Sequence, residues 1–379
     1  MVTPPAMIRS AAELNARWQA ALAAEKQGDF RSAETSYRAI LQVAPKHPAA
    51  LRRLAGIGRR YGDQEAARAL LERAVNADAK YGPAKIDLAD ILQSAGEIDR
   101  AAGLYAEGLA IVAGAPSQLS NYAACLLKLG RFSDALRLTD QHKATGGLSA
   151  NVAAYRAQAL WELREDDEAL ALLDPDQFVF TQKPAAPNGY ASIEAFNEDL
   201  VAAFEAHPTL TETWDPAQRA ARGGRVTENL FAEGAPVPPV IEAFRALIAD
   251  EVRQVSAELA TVSDHPFLGR RAKTPLEIIS WANLMPGQGV QAAHIHNLGW
   301  LSGVYYPKVP KAVSSGDGSH AGWLGFGKPG YDIPSVRPPP TRFLAPEAGL
   351  LVCFPSYIWH WTEPFQGDEE RVSVAFDVA

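Results

Sequence analysis

Near the carboxyl end, three histidines and one arginine have the types and spacing of a metal site backed by an anion clamp. His294 and His296 stand in QAAHIHNLGWLSGVYYP. In an extended segment residues i and i+2 project from the same face, so both imidazoles could reach one ion. His360 lies in FPSYIWHWTEP, after an apolar strand and a proline-containing turn. Arg371 follows in RVSVAFDV, where Val372, Val374 and Phe376 make one apolar face and Arg371 and Ser373 share the other. An arginine opening a core strand is costly unless it meets an anion. The remaining histidines, His47, His142, His207, His265 and His320, have no such company and read as structural groups. Trp300, Trp359 and Trp361 read as core or pocket wall, and Cys353 as strand packing.

The segments that must position these residues have a period of two. EIISWANLM, WLSGVYY, GLLVCFP and RVSVAFDV are predicted strands separated by Gly/Pro-rich turns. Two helices are expected before them, near 193–206 and 237–260, the second starting after prolines. Helices followed by many short strands predict an α+β unit with a sandwich or jelly-roll core. Residues 176–190 read as a linker and 191–379 as the domain.

The first half of the chain follows another grammar. Seven prolines fall in residues 1–176 and twenty in 177–379. Proline lacks an N–H and clashes with the preceding helical turn, so only the first half can be helical almost throughout. It also repeats. Gly28, Gly62, Gly96 and Gly130 are 34 residues apart, and Ala33, Ala67, Ala101 and Ala135 keep the step, which Ala169 extends. Tyr37, Leu71 and Tyr105 form a third column. The glycine permits a tight turn, the alanine a close helix approach, and the larger residue fills the gap between repeats. This pattern resembles the tetratricopeptide repeat. Five repeats are expected within residues 10–175, the fifth degenerate, with Arg164 in the glycine column. The resemblance implies a groove for a peptide or partner protein, or else a scaffold or self-association surface. Arg52, Arg53, Arg59 and Arg60 share one helix and would either meet an acidic peptide or face solvent.

Composition bounds the rest. The 379 residues carry 47% hydrophobic and 21% charged side chains, which excludes a wholly disordered chain. No apolar run is long enough to span a bilayer, and MVTPPAMIRS lacks the apolar core of a secretory signal. Two cysteines, Cys125 and Cys353, make no disulfide framework, so a reducing cytoplasm is expected. A net charge of -8 with no basic stripe disfavours nucleic acid and anionic membrane as partners.

Together, WANLMPGQGVQAAHIHNLGWLSGVYYP, EAGLLVCFPSYIWHWTEP and RVSVAFDV closely resemble a branch of the iron(II)/2-oxoglutarate oxygenases with HxH followed by SGVYY. The likeness runs from about residue 190 to the end. It implies a double-stranded β-helix using Fe(II), 2-oxoglutarate and O2 to hydroxylate a substrate, with succinate and CO2 as co-products. Carried over residue by residue, His294 matches the first iron ligand and His360 the distal one. Arg371 matches the arginine that pairs with the far carboxylate of 2-oxoglutarate. Ser373 assists it, and Tyr306 resembles the tyrosine of prolyl hydroxylases that bonds the same carboxylate. Ser302 and Asn283 are co-substrate candidates by position. No catalytic residue is expected beyond these ligands.

The departure is His296, where the superfamily usually has Asp or Glu. A neutral imidazole leaves the site one unit more positive, so that with dianionic 2-oxoglutarate the sum is about zero instead of about −1. His296 either completes a three-histidine triad, or turns away to leave two histidines and water, or marks a site that has lost its redox chemistry. The aspartyl/asparaginyl β-hydroxylases resemble this chain in joining tetratricopeptide repeats to an oxygenase with an incomplete triad. The leading expectation is a dioxygenase hydroxylating a peptide or protein side chain recruited by the repeats. Its rivals are a non-enzymatic adaptor with a degenerate oxygenase fold and a three-histidine cupin-type dioxygenase that does not use 2-oxoglutarate.

Overall fold

A break in helical chemistry recurs through the first half of the chain. Gly28, Gly62 and Gly96 adopt φ of 79°, 84° and 80°, the left-handed conformation that glycine enters without a Cβ penalty. They separate successive helices in a computed structural model that describes residues 10–146, 148–212, 220–232, 237–259, 265–269, 276–313 and 319–379. Most of the MVTPPAMIRS segment lies outside the described residues.

The chain forms two compact units, Met1–Leu129 and Gly130–Ala379. The first contains α1 (Ala11–Lys26), α2 (Phe30–Val43), α3 (Pro48–Arg60), α4 (Gln64–Ala77), α5 (Gly82–Ser94), α6 (Ile98–Leu109) and α7 (Pro116–Lys128). Asp29 and Asp63 cap α2 and α4, accepting from the backbone N–H of Ser32 and Ala66 at 3.0 Å. Ala33, Ala67 and Ala101 are fully buried where paired helices meet, and Tyr37, Leu71 and Tyr105 fill the space beside them. The arginines of α3 are engaged within the array. Arg52 pairs with Asp87 at 2.6 Å, Arg53 with Glu25 at 3.1 Å and Arg59 with Asp90 at 3.8 Å. The Arg60 guanidinium lies 4.3 Å from the Phe30 ring centroid. These contacts link the α3 cations to neighbouring helices.

The second unit begins with α8 (Phe132–Gly146), α9 (Ala150–Glu162), α10 (Asp166–Leu173), α11 (Pro175–Phe178), β1 (Phe180–Gln182) and α12 (Ile193–Glu205). There follow β2 (Thr211–Glu212), β3 (Ala221–Arg222), β4 (Arg225–Val226), α13 (Pro239–Leu259), β5 (Ile278–Met285) and β6 (Val290–Gln291). The chain closes with β7 (Leu301–Lys308), β8 (Leu324–Phe326), β9 (Arg342–Leu344), β10 (Leu351–Pro355), β11 (His360–Thr362) and β12 (Arg371–Val378). Arg164, between α9 and α10, takes φ 65° in the glycine column, so the degenerate repeat keeps the turn without the residue suited to it. The helices α9 and α10 are bound to the later chain. Trp161 donates its indole N–H to the Pro338 carbonyl at 3.2 Å, and the Tyr357 hydroxyl donates to the Leu172 carbonyl at 2.9 Å.

The four segments of period two are the long strands of the molecule. They sit together in a seven-stranded sheet ordered β1-β10-β7-β12-β5-β4-β2, opposite the smaller sheets β11-β8-β9 and β3-β6. The architecture is the expected one: an α-solenoid of tetratricopeptide type followed by a double-stranded β-helix, or jelly roll, with flanking helices. Alternation along β7 sorts the two tyrosines. Tyr305 faces the helices, donating to Asn197 of α12 at 2.6 Å and packing on Phe244 of α13. Tyr306 faces the cavity between the sheets. The SG step of SGVYY has a packing cause, because a Cβ on Gly303 would lie 2.2 Å from Cζ of Phe376.

Candidate metal centre and anion clamp

A reciprocal backbone pair sets the site. His294 N–H donates to the His360 carbonyl at 3.0 Å, and His360 N–H returns to His294 at 3.1 Å. Thus the segment before β7 and the start of β11 face each other at the two outer histidines of the motif. His296 is held from the backbone too, its N–H donating to the Ser356 carbonyl at 3.0 Å. The three rings converge, and ligand nitrogens from His294, His296 and His360 lie within 4.8 Å of one another. His296 therefore points into the cluster, and the turned-away arrangement is not the one the fold adopts.

Each ring has its outer nitrogen committed. His294 Nδ1 lies 2.7 Å from the Ala292 carbonyl and His360 Nδ1 lies 3.0 Å from the Ile358 carbonyl. His296 Nδ1 lies 2.5 Å from the Asp377 carboxylate. A carbonyl or carboxylate accepts, so each Nδ1 carries the proton and each Nε2 offers a lone pair. His294 Nε2 and His296 Nε2 are 3.1 Å apart. Two bare lone pairs at that distance repel, whereas a shared cation makes the spacing favourable. Two bonds of about 2.1 Å at roughly a right angle give about 3 Å between ligand nitrogens. A shared proton is the poorer alternative, because burial pushes His294 down to about 3 and holds His360 well below the ordinary imidazole range. The donor set fits a divalent metal of the first transition row.

The metal-facing side opens on a cavity of about 450 Å³. Alternate residues of β12, namely Arg371, Ser373, Ala375 and Asp377, line it, together with Trp281 and Asn283 of β5 and Tyr306 of β7. Arg371 is 1% exposed. One of its terminal nitrogens donates to the Gly322 carbonyl at 2.5 Å, and its Nε has no partner. Among the described residues no carboxylate pairs with it. Burial lowers its pKa, the direction expected of a cation stripped of water. Asn283 Nδ2, buried on the neighbouring strand in register with Ser373, also lacks a partner. Burial pushes the Tyr306 hydroxyl up to about 12, keeping it a donor at neutral pH. One cavity thus brings Arg371, Asn283, Tyr306 and Ser373 together.

Ser302 is placed differently from its strand neighbours. Its hydroxyl donates to Asp377 at 2.6 Å and lies 2.8 Å from Ser356 Oγ, behind His296 rather than beside Arg371. Asp377 is the residue that motif reasoning missed. It is the penultimate residue of RVSVAFDV and has the same parity as Arg371 and Ser373, so alternation along the strand puts it on their face. The five histidines read as structural contribute no nitrogen to the three-histidine cluster, and Trp300, Trp359, Trp361 and Cys353 are buried.

Residues 279–377 match the family described as "Putative 2OG-Fe(II) oxygenase". No curated protein matches the chain. Among solved structures, a Pseudomonas putida prolyl-4-hydroxylase is 18% identical with a TM-score of 0.35, covering 55% of this chain and 97% of that one. YrrB, a TPR protein with an unusual peptide-binding site, is 16% identical with a TM-score of 0.35, covering 41% of this chain and 79% of that one. A Thermobaculum terrenum O-GlcNAc transferase mutant is 24% identical with a TM-score of 0.31 over 36% of this chain, which spans only 27% of its length. No helix among the described residues is long and apolar enough to cross a membrane. Residues 279–377 thus carry a likeness to the 2OG-Fe(II) oxygenases, in a chain whose first half is an array of paired helices.

Proposed function

We propose that the chain is an iron(II)- and 2-oxoglutarate-dependent dioxygenase that hydroxylates a peptide or protein side chain. In this reading residues 191–379 form the oxygenase, 176–190 the linker, and 10–175 the array that engages the substrate protein or a partner. Cys125 and Cys353, both free and buried, suit a reducing cytoplasm. The observation that carries the reading is the buried, anion-less guanidinium of Arg371 in the same cavity as three convergent imidazoles. An adaptor fold has no use for an unpaired cation in its core, and a dioxygenase that binds no oxo acid leaves it unexplained.

His294, His296 and His360 would hold iron(II), which supplies one-electron chemistry with O2 and a chelation point for an oxo acid. The chain's own groups do the rest. Arg371 receives the distal carboxylate of 2-oxoglutarate through charged hydrogen bonds, with Tyr306 and Asn283 as further donors. Ser373 lies beside them on β12. The apolar wall formed by Leu324, Phe354 and Ala375 limits water around that anion, which strengthens each bond.

Turnover with candidate peptides is expected to need both Fe(II) and 2-oxoglutarate. Alanine at His294, His360 or Arg371 abolishes succinate formation. Retention of co-substrate dependence by Arg371→Ala would remove the clamp from the reading, and oxygen uptake without 2-oxoglutarate would favour a direct three-histidine dioxygenase.

A further inference from the structure

Asp377 has a place that the metal-ligand motif leaves unexplained. It is 8% exposed, near the end of β12, and has no arginine or lysine partner among the described residues. Its Oδ1 accepts from His296 Nδ1 at 2.5 Å and from the Ser302 hydroxyl at 2.6 Å. Ser302 is in turn 2.8 Å from Ser356 Oγ, so the carboxylate is held by a chain of hydroxyls. Strand register makes the arrangement rigid, since Asp377 lies directly opposite Ser302 across β12 and β7. The other two imidazoles rest on neutral carbonyls, Ala292 and Ile358. Only the histidine standing where a carboxylate would be expected rests on a carboxylate.

We propose that Asp377 is a positioning residue that supplies, through the Nδ1–H of His296, the negative charge and fixed tautomer absent from an HxH motif. This rests on the metal site proposed above. The carboxylate has moved from the i+2 side chain to a neighbouring strand and reaches the ion through one imidazole. The hydrogen bond keeps the proton on the far nitrogen and leaves the Nε2 lone pair aimed at the ion. An amide in its place can turn its N–H toward Nδ1, which would put the ring proton on the metal-facing nitrogen.

The test titrates the full-length protein anaerobically with Co(II) alone, following the visible ligand-field bands. Wild type is expected to bind, with His294→Ala and His360→Ala losing the spectrum. Asp377→Asn is expected to bind about 10- to 100-fold more weakly, with metal-free thermal unfolding unchanged. Proton NMR of the cobalt form adds a readout that a packing role would not move. Wild type should show three exchangeable, contact-shifted imidazole N–H signals, and Asp377→Asn should lose or displace one. Should Asp377→Asn not fold, Ser302→Ala, which removes the hydroxyl that donates to Asp377 and lies 3.1 Å from His296 Nδ1, is expected to weaken Co(II) several-fold. Cobalt affinity and N–H signals equal to wild type in the folded variant overturn the proposal while leaving the metal site intact. No cobalt binding by wild type overturns the metal site itself.

Discussion

Arg371 carries its charge into the core with no counter-ion among the described residues, and stability and function pull it in opposite directions. Replacing a buried, unpaired cation by an apolar side chain of similar length removes a desolvation penalty. Arg371→Met should therefore stabilise the ligand-free protein, by about 1–4 kcal/mol in urea unfolding, while abolishing any 2-oxoglutarate-induced shift. A destabilised variant would mean that Arg371 is a structural strut. A second buried group gives a signed pH effect. His265 Nδ1 accepts from the backbone N–H groups of Phe267 and Leu268 at 3.1 and 3.0 Å, and Nε2 lies 3.1 Å from the Tyr357 hydroxyl. Burial lowers its pKa to about 4, against 6.5 when free. Because the neutral form is the folded one, its contribution is full above pH 6.5 and is lost as pH falls toward 4. His265→Asn, which can still accept from those amides, should show an acid limb shallower by about one proton, roughly 1.4 kcal/mol per pH unit. Equal slopes would show that His265 is already protonated in the fold. At this scale the convergence of His294, His296 and His360 in one cavity with Arg371 was legible, because types and spacing alone point to it. Parity along β12 puts Asp377 on the face of Arg371 and Ser373, but its pairing with His296 and Ser302 depends on which strand lies beside which.

Element boundaries were legible wherever a period had room to show. The 34-residue columns place Gly28, Gly62, Gly96 and Gly130, all in the left-handed region, and strands of five to eight residues display their alternation. β2, β3, β4 and β6 have two residues each, too few to carry a period, and exist only through pairing with partners distant in sequence. Their absence from the sequence reading follows from that non-locality. The glycine column also yields a graded expectation. A non-glycine residue in the left-handed region costs about 1–2 kcal/mol, offset in part by the extra freedom glycine has when unfolded, about 0.4–1 kcal/mol. Arg164→Gly should then raise stability by up to about 1 kcal/mol, and Gly96→Ala should lower it by about the same amount. Nothing lies within 4 Å of a Cβ placed on Gly96, so the loss isolates backbone strain from crowding. Thermal unfolding of the two single variants checks both signs, and a neutral Gly96→Ala would show that the turn tolerates another conformation.

Over the whole molecule, two compact units imply two buried cores, and the three histidines with Arg371 all belong to the second. A ligand stabilises only the structure that binds it, by RT ln(1 + [L]/Kd), about 2.7 kcal/mol at one hundred times Kd. For a unit of this size each kcal/mol moves the midpoint by about 2–4 °C, so saturating Mn(II) and 2-oxoglutarate should raise one calorimetric transition by roughly 5–10 °C. A change in the repeat core should act on the other. Leu71 is 1% exposed in the first unit, and Leu71→Ala should lower that unit's stability by about 2–5 kcal/mol through lost burial and a residual cavity. The substitution should leave the ligand-induced shift of the second unit's transition unaltered. If it abolished that shift, or if Mn(II) and 2-oxoglutarate displaced both transitions equally, the units would unfold as one cooperative body. The repeats would then be part of the framework of the metal site rather than a separate element that engages a partner.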